Sequence, residues 1–412
     1  GYQEPYIDFV KSLTTKPVVG VGRYTSPDTM VSLIKRGVMD MIGAARPSIA
    51  DPFLPKKIEE GRVDEIRECI GCNICVAGDW LAVPMRCTQN PTMGEEWRRG
   101  WHPERIEPRE SDDGVLVVGG GPAGLECALA LGKRGYRVIL AEESEELGGR
   151  VSRESKLPGL AAWGRVRGHR VIMIEKLKNV TLYLGSSLSK EDIFEFSADD
   201  KFGFSHVFLA TGASWRRDGI ARENREPIPG LEHVSVLTAD DLMLGVSAHG
   251  KVVIFDDEHY YMGGVLAEKL RLDGHDVRLV TPAPDISTWT HNTMEQGHIQ
   301  KKLLELGVEL IPHHNLASVH PGAVELACVF TDRRVRHACD TLVLVTERLP
   351  NDDLYRAMRA DPAGIAKSGL KTIQCIGDCL APGIIAAAVH SGHLVAREFE
   401  ADAPGEVPFL RE

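Results

Sequence analysis

Cys69, Cys72 and Cys75 stand in the run CIGCNIC, and Cys87 follows, a spacing of C-x2-C-x2-C-x11-C. Thiolates ligate soft metals and exchange disulfides, so three chemistries compete for these residues. A disulfide staple suits an oxidising compartment. An odd total of nine cysteines, behind a start (GYQEPYIDFV) with no basic-then-apolar leader, does not resemble a disulfide framework. Zinc usually takes two separated C-x2-C knuckles, whereas three cysteines here share one loop. Three thiolates on one tight turn can reach three corners of a small inorganic cube, and a fourth from the next loop can close it. A [4Fe–4S] cluster on Cys69, Cys72, Cys75 and Cys87 is the expectation and zinc the rival. Four unrelated core cysteines explain three thiols in seven residues poorly. Gly71 is expected to relieve crowding where the backbone wraps the metal.

A second chemistry lies in Gly119-Gly120-Gly121-Pro122-Ala123-Gly124, which follows the apolar run VLVV and opens LECALALGKRG. This is G-x-G-x-x-G between a strand and a helix. Gly119 permits the turn, Gly121 lets the backbone approach a pyrophosphate, and Gly124 lets helix and strand pack closely. Pro122 and Ala123 open a helix whose N-terminus offers amides and positive dipole to phosphates. Glu142, 23 residues beyond Gly119, can accept from a ribose hydroxyl. Ala210-Thr211-Gly212 in LATGASW, and Gly377-Asp378 in CIGDC, stand where a dinucleotide-binding flavoprotein carries supporting turns. Each alone could be an ordinary turn, and a glycine turn without a ligand is the plain alternative for the loop.

A second glycine loop is due after KVVIF, where a second strand–helix–strand unit begins. The sequence there reads Asp256-Asp257-Glu258-His259-Tyr260-Tyr261-Met262-Gly263-Gly264. Three carboxylates at a pyrophosphate site repel the ligand, and bulky side chains block backbone approach. The unit has the form of a dinucleotide domain with chemistry that opposes one. A shifted turn at Gly263-Gly264 is the weaker alternative.

These motifs need parallel strands with helices between them, and the texture of the chain supplies them. Two strand–helix units fall within residues 16–47: KPVVGVGR, a helix capped at Thr25 or Ser26 with Pro27 in its first turn, Gly37 as stop, and a buried strand in VMDMIGAARP. Their rhythm implies a parallel sheet covered on both faces. Polar helices and turns lead from there to the cysteines, and residues 88–113 read as irregular. The chain of 412 residues exceeds one ordinary domain, and 43% hydrophobic content is ample for several cores. A net charge of −11 with mixed signs argues against nucleic acid and for a soluble protein. No apolar run approaches the ~20 residues of a membrane span. Cysteine usage suggests a reducing compartment, the cytoplasm.

Taken together the chain resembles the trimethylamine dehydrogenase family of iron–sulfur flavoproteins. The resemblance rests on KPVVGVGRYT, GAARPSIADPFLP, CIGCNIC, CTQNPTMGEEWRRGWHPE, VVGGGPAGLE, LATGASW, DDEHYYMGGVLAEKL and IGDCLAPGIIAAAVHSGHLVARE, and so spans nearly all of it. It implies an α/β architecture: the end of an FMN-binding TIM barrel, a [4Fe–4S] loop, and two Rossmann-like FAD/NAD(P)-type domains. The corresponding division is 1–68 for barrel strands seven and eight, 69–113 for cluster loop and linker, 114–248 for the first nucleotide domain, 249–345 for a degenerate second one, and 346–412 for a return to the first. A whole barrel needs ~250 residues, so the expectation is a piece of a longer protein whose bare strand edges lack their partners.

The resemblance further places an FMN phosphate against Gly22, Arg23, Ala45 and Arg46, after the two barrel strands, where a surface salt bridge is the plain alternative for each arginine. It assigns no catalytic residue within this chain, which alone is expected to be inactive. It implies a small secondary or tertiary amine as substrate, oxidative N-demethylation, an electron-transfer flavoprotein as acceptor and a possible homodimer. Dienoyl-CoA reductases in the wider family resemble C-x2-C-x3-C-x11-C and use NADPH, and both the spacing and the acidic loop here point to the amine branch. ADP or FAD in the first nucleotide site is left open. An NAD(P)H-dependent enoate or dienoyl-CoA reductase, and a non-catalytic electron-transfer or nucleotide-binding module, are the competing functions.

Overall fold

Valine-rich runs bounded by glycine become the central strands of two parallel five-stranded sheets. The computed structural model describes residues 3–199 and 202–401. In the first sheet Gly114–Val118 is buried along its whole length and pairs in parallel with Arg137–Ala141 and His206–Leu209. Val180–Tyr183 and Thr372–Cys375 form its edges. A strand covered by helices on both faces needs no alternation of polar and apolar residues, which is why VLVV reads as a continuous apolar run. The covering helix Pro122–Arg134 starts with proline at its first position and stops at Gly135. It packs along Ile385–Glu398, the long helix near the end of the chain.

The second sheet has the order Glu309–Ile311, Asp276–Val280, Lys251–Asp256, Thr341–Val345, Ser235–Thr238, all parallel. An antiparallel meander of His314–His320, Ala323–Cys328 and Arg334–Ala338 adjoins it. The chain crosses between the two sheets through an antiparallel pair, Ala213–Trp215 with Arg348–Pro350.

This moves the expected boundary at residue 249. Ser235–Thr238, which that division gave to the first nucleotide domain, pairs with Thr341–Val345 and belongs to the second sheet. The crossing pair shows where the chain changes sheets, ahead of this strand on the way out and after Val345 on the way back. Within the expected final segment, residues 402–412 lie outside the described residues.

At the N-terminal end Val19–Val21 and Met41–Gly43 form a separate parallel pair joined by the helix Pro27–Lys35. Tyr24, Met30, Leu33, Val38, Met39, Leu54 and Ile66 give this segment its own small core. The expectation of a sheet covered on both faces does not hold: Val19, Val21 and Met41 are 54%, 52% and 48% exposed. Two strands offer too little area for helices on both sides, so one face stays bare. Among the described residues no helix is long and apolar enough to cross a membrane.

Candidate functional site

The four cysteines line one cavity, and none is in a disulfide. Cys75 sits in the first turn of the helix Ile74–Trp80, whose N-cap Asn73 takes a left-handed conformation at φ 53°. Cys87 arrives from the following loop. Burial pushes the Cys72 thiol up to about 11 and the Cys87 thiol up to about 12, and neighbouring cysteines push both further in the same direction. Such thiols ionise only against a strong local positive charge, and a metal centre supplies one.

Among the described residues the one set of three metal-type ligand atoms that lie within 4.8 Å of one another is Asp113, His206 and Glu400, which contains no cysteine. In the acid–histidine set Lys371 already pairs with Asp113 as its cation.

Gly71 has a close neighbour from another segment. Its φ is +77°, and a Cβ there would meet the Arg23 guanidinium at 2.7 Å. The missing side chain makes room for Arg23, whose Nη1 donates to the Cys69 carbonyl oxygen at 3.3 Å. Arg46 Nη1 donates to Asn73 Oδ1 at 2.5 Å, so both arginines reach the cysteine loop. Gly22 and Ala45 lie just beyond the C-terminal ends of the paired strands, where Val21 is in register with Gly43. The four residues of the expected phosphate site thus share one end of the strand pair, against the cysteines. Asn73 Nδ2 also donates to the Thr293 carbonyl oxygen at 2.8 Å, tying the loop to the second nucleotide unit.

The first glycine loop converges with its supporting turns. Gly119 has φ +104°, and a Cβ there would strike the Ala210 carbonyl; one on Gly124 would strike the Gly119 carbonyl, and one on Gly377 the Ala123 side chain. Gly121, by contrast, faces open space, as close backbone approach by a pyrophosphate requires. Glu142 is buried and already serves the loop: Oε2 accepts from Gly120 N at 2.6 Å, and Oε1 from Ser144 N at 3.0 Å. A ribose hydroxyl would share these oxygens with the backbone. Thr211 Oγ1 donates to the Asn351 carbonyl oxygen at 2.6 Å, and Asn351 N donates to Gly212 O at 2.9 Å. Asp378 receives Arg150 Nη1 at 2.8 Å and Arg348 Nη1 at 3.0 Å on Oδ2, and Gly383 N at 3.0 Å on Oδ1.

The acidic loop of the second unit folds onto itself. Asp256 Oδ1 accepts from Glu258 N at 3.1 Å and His259 N at 2.9 Å, and Glu258 Oε2 accepts from Tyr260 N at 3.1 Å. The amides that a pyrophosphate would use are satisfied by the loop's own carboxylates. Burial, with the Glu258 charge nearby, raises the Asp256 carboxyl to about 7. Gly263 is no substitute turn, since a Cβ there would meet the Asp256 carboxylate at 2.5 Å; its smallness serves packing.

Several residues of this region escaped sequence reasoning. Arg150, Arg348 and Asn351 close the first nucleotide site, and Tyr261 OH donates to Glu154 Oε2 at 2.6 Å while Arg150 Nε donates to Glu154 Oε1 at 2.8 Å. Beside the cysteines, the fully buried Arg170 donates to Gln89 and to Glu126. The pair Gly148-Gly149 before Arg150 was the available signal, because a Cβ on Gly149 would lie 3.2 Å from the Gly121 backbone.

Comparison with known proteins covers both parts of the chain. Residues 113–392 match the pyridine nucleotide-disulphide oxidoreductase family, and residues 1–65 match the NADH:flavin oxidoreductase / NADH oxidase family. Dimethylamine dehydrogenase from Hyphomicrobium sp. (strain x) is 42% identical over 100% of this chain and 59% of its own length. The structure of histamine dehydrogenase from Rhizobium sp. 4-9 superposes with a TM-score of 0.95 at 48% identity, covering 100% of this chain and 60% of that one. That of 6-hydroxypseudooxynicotine amine oxidase from Pseudomonas geniculata N1 gives 0.93 at 48% identity, covering 97% of this chain and 59% of that one. The chain therefore spans about 60% of the length of these relatives.

Proposed function

This chain belongs to the trimethylamine/dimethylamine dehydrogenase-type flavoprotein family, and from that premise we propose that it serves the oxidation of a secondary or tertiary amine. The reaction is oxidative N-demethylation: the C–H bond beside nitrogen gives up two electrons and one proton as a hydride to the flavin, and the iminium left behind is hydrolysed by water to an aldehyde, a smaller amine and a proton. Cys69, Cys72, Cys75 and Cys87 would hold a [4Fe–4S] cluster. Arg23 and Arg46, with the backbone at Gly22 and Ala45, would hold the phosphate of FMN at the end of a barrel whose last two strands are Val19–Val21 and Met41–Gly43. The loop Gly119–Gly124, with Glu142, Ala210, Thr211, Gly212, Gly377 and Asp378, would hold ADP or FAD.

Bound flavin and cluster would supply two-electron uptake and one-electron release, respectively. The chain's own residues keep the two sites together. Arg46 touches Asn73 in the cysteine loop, and Arg23 touches Cys69; this adjacency is the observation that carries the reading. A one-electron carrier, an electron-transfer flavoprotein, would then take electrons from the cluster side. The competing reading is the reverse chemistry, reduction of an enoate by NAD(P)H. It requires a nicotinamide nucleotide at the second unit, and the self-occupied acidic loop opposes one.

Two measurements test the proposal. Iron and acid-labile sulfide should be found in the protein purified without oxygen, and zinc in their place would end the cluster reading. Anaerobic addition of dimethylamine or trimethylamine to the full-length protein that carries this chain should bleach flavin absorbance and produce the signal of a reduced cluster. Reduction by NADPH with no response to amines would reverse the assignment.

A further inference from the structure

The run CTQN carries more than its cysteine. Thr88 Oγ1 lies 3.2 Å from Cys72 Sγ, and Thr88 is 3% exposed. A ligand thiolate has no proton to give, so in the loaded protein the hydroxyl is the donor. The contact joins the two halves of the site, because Thr88 follows Cys87 while Cys72 belongs to the other loop.

The segment that follows the hydroxyl is held in place by three anchors. Gln89 Nε2 donates to the Glu68 carbonyl oxygen, next to Cys69, at 3.0 Å. Arg170 Nη1 donates to Gln89 Oε1 at 3.2 Å and Nη2 to the Gln89 backbone oxygen at 3.3 Å. Asn90 Nδ2 donates to the Ile49 carbonyl oxygen at 3.1 Å. Each anchor lies on a different segment, so Thr88 has little freedom to turn away from the sulfur.

From this geometry we infer that Thr88 is a positioning residue that sets the reduction potential of the cluster through its hydrogen bond to the Cys72 sulfur. The inference rests on the cluster reading above. Reduction adds negative charge, part of which resides on the ligand sulfurs. A donor aimed at one of them stabilises the reduced state more than the oxidised state and raises the potential. Burial strengthens the effect, because no water competes for the sulfur. Gln89 and Arg170 act through Thr88 by fixing its backbone.

Thr88→Val keeps the shape and removes the donor. Spectroelectrochemical titration of protein purified without oxygen should show its cluster potential more negative than that of the unsubstituted protein, with iron and sulfide content retained. Thr88→Ser, which keeps the hydroxyl, should restore the potential. Thr88→Ala, too small to crowd the cavity, repeats the measurement should valine displace the cluster. A loaded Thr88→Val or Thr88→Ala protein with an unaltered potential overturns the inference and leaves the cluster reading intact. Absence of iron from the unsubstituted protein overturns both.

Discussion

Arg170 and Glu126 form an ion pair in the interior, Nε to Oε2 at 2.7 Å, between the cysteine loops and the first nucleotide helix. His393 Nδ1 contacts the other Glu126 oxygen at 2.8 Å, and the remaining Arg170 nitrogens serve Gln89 and the Val166 carbonyl. One guanidinium thus ties the Cys87 loop to the helix that follows the nucleotide-binding glycines. Replacing Arg170 by Met strands a buried carboxylate, a change that costs about 3–5 kcal/mol. Denaturant unfolding should show that loss. Glu126→Gln in the same background should return part of it, since the stranded charge is then gone; strict additivity of the two substitutions would contradict the arrangement.

Gly71→Ala should destabilise for two separable reasons. A left-handed backbone costs an L-residue about 1–2 kcal/mol, and the new methyl would press on Arg23. Removing the Arg23 side chain should therefore cost less in the Gly71→Ala background than alone. The readout is the midpoint of chemical unfolding for the four proteins of the cycle. Equal costs in both backgrounds would mean that Arg23 does not sit over Gly71.

The cysteine site was legible because ligand spacing is local: three thiols on one turn announce themselves in seven residues. The glycine loop was legible for the same reason, with strand, turn and helix contiguous. The residues that hold these motifs together were not. Arg170 and Gln89 are 81 residues apart and Arg150 and Asp378 are 228 apart, and an arginine in a polar stretch reads as a surface charge until folding buries it. The contact of Gly71 with Arg23 is hidden for a related reason, since Arg23 comes from another segment. Apolar strand residues such as Val19 and Val21 look alike in sequence whether their sheet is covered or bare. The misplaced boundary at 249 has its cause in Ser235–Thr238, a short strand without glycine punctuation whose partner lies a hundred residues on.

Lys133 gives a pH dependence with a definite sign. It lines a cavity with Arg67, Glu104 and Glu126, and burial is the main cause that lowers its ammonium from 10.5 to about 8, with Arg67 acting in the same direction. Between those values the unfolded chain holds a proton that the folded one has released, so stability from this residue rises with pH there. At pH 7 the folded state carries the full penalty, about 3 kcal/mol at most. Lys133→Met should thus stabilise the protein at neutral pH, with the gain shrinking between pH 8 and 10.5. Thermal midpoints at a series of pH values measure it; a gain that grows toward alkaline pH would show the ammonium to be stabilising.

The acidic loop makes a prediction about nucleotides. A pyrophosphate at the second unit would have to take the amides of Glu258 and His259 from Asp256, and that of Tyr260 from Glu258. It would also bring negative charge against Asp257, which is fully buried. Displacing one set of anions by another beside a third yields no net hydrogen bonds and adds repulsion. Isothermal titration should therefore show no saturable heat with NADH or NADPH, while ADP binds at the Gly119–Gly124 loop, where Gly121 faces open space. Competition separates the two sites: any heat from NADPH that ADP abolishes belongs to the first loop. Saturable NADPH binding in the presence of excess ADP would mean that Asp256 and Glu258 swing out of the way, and the case against a reductase would fall with it.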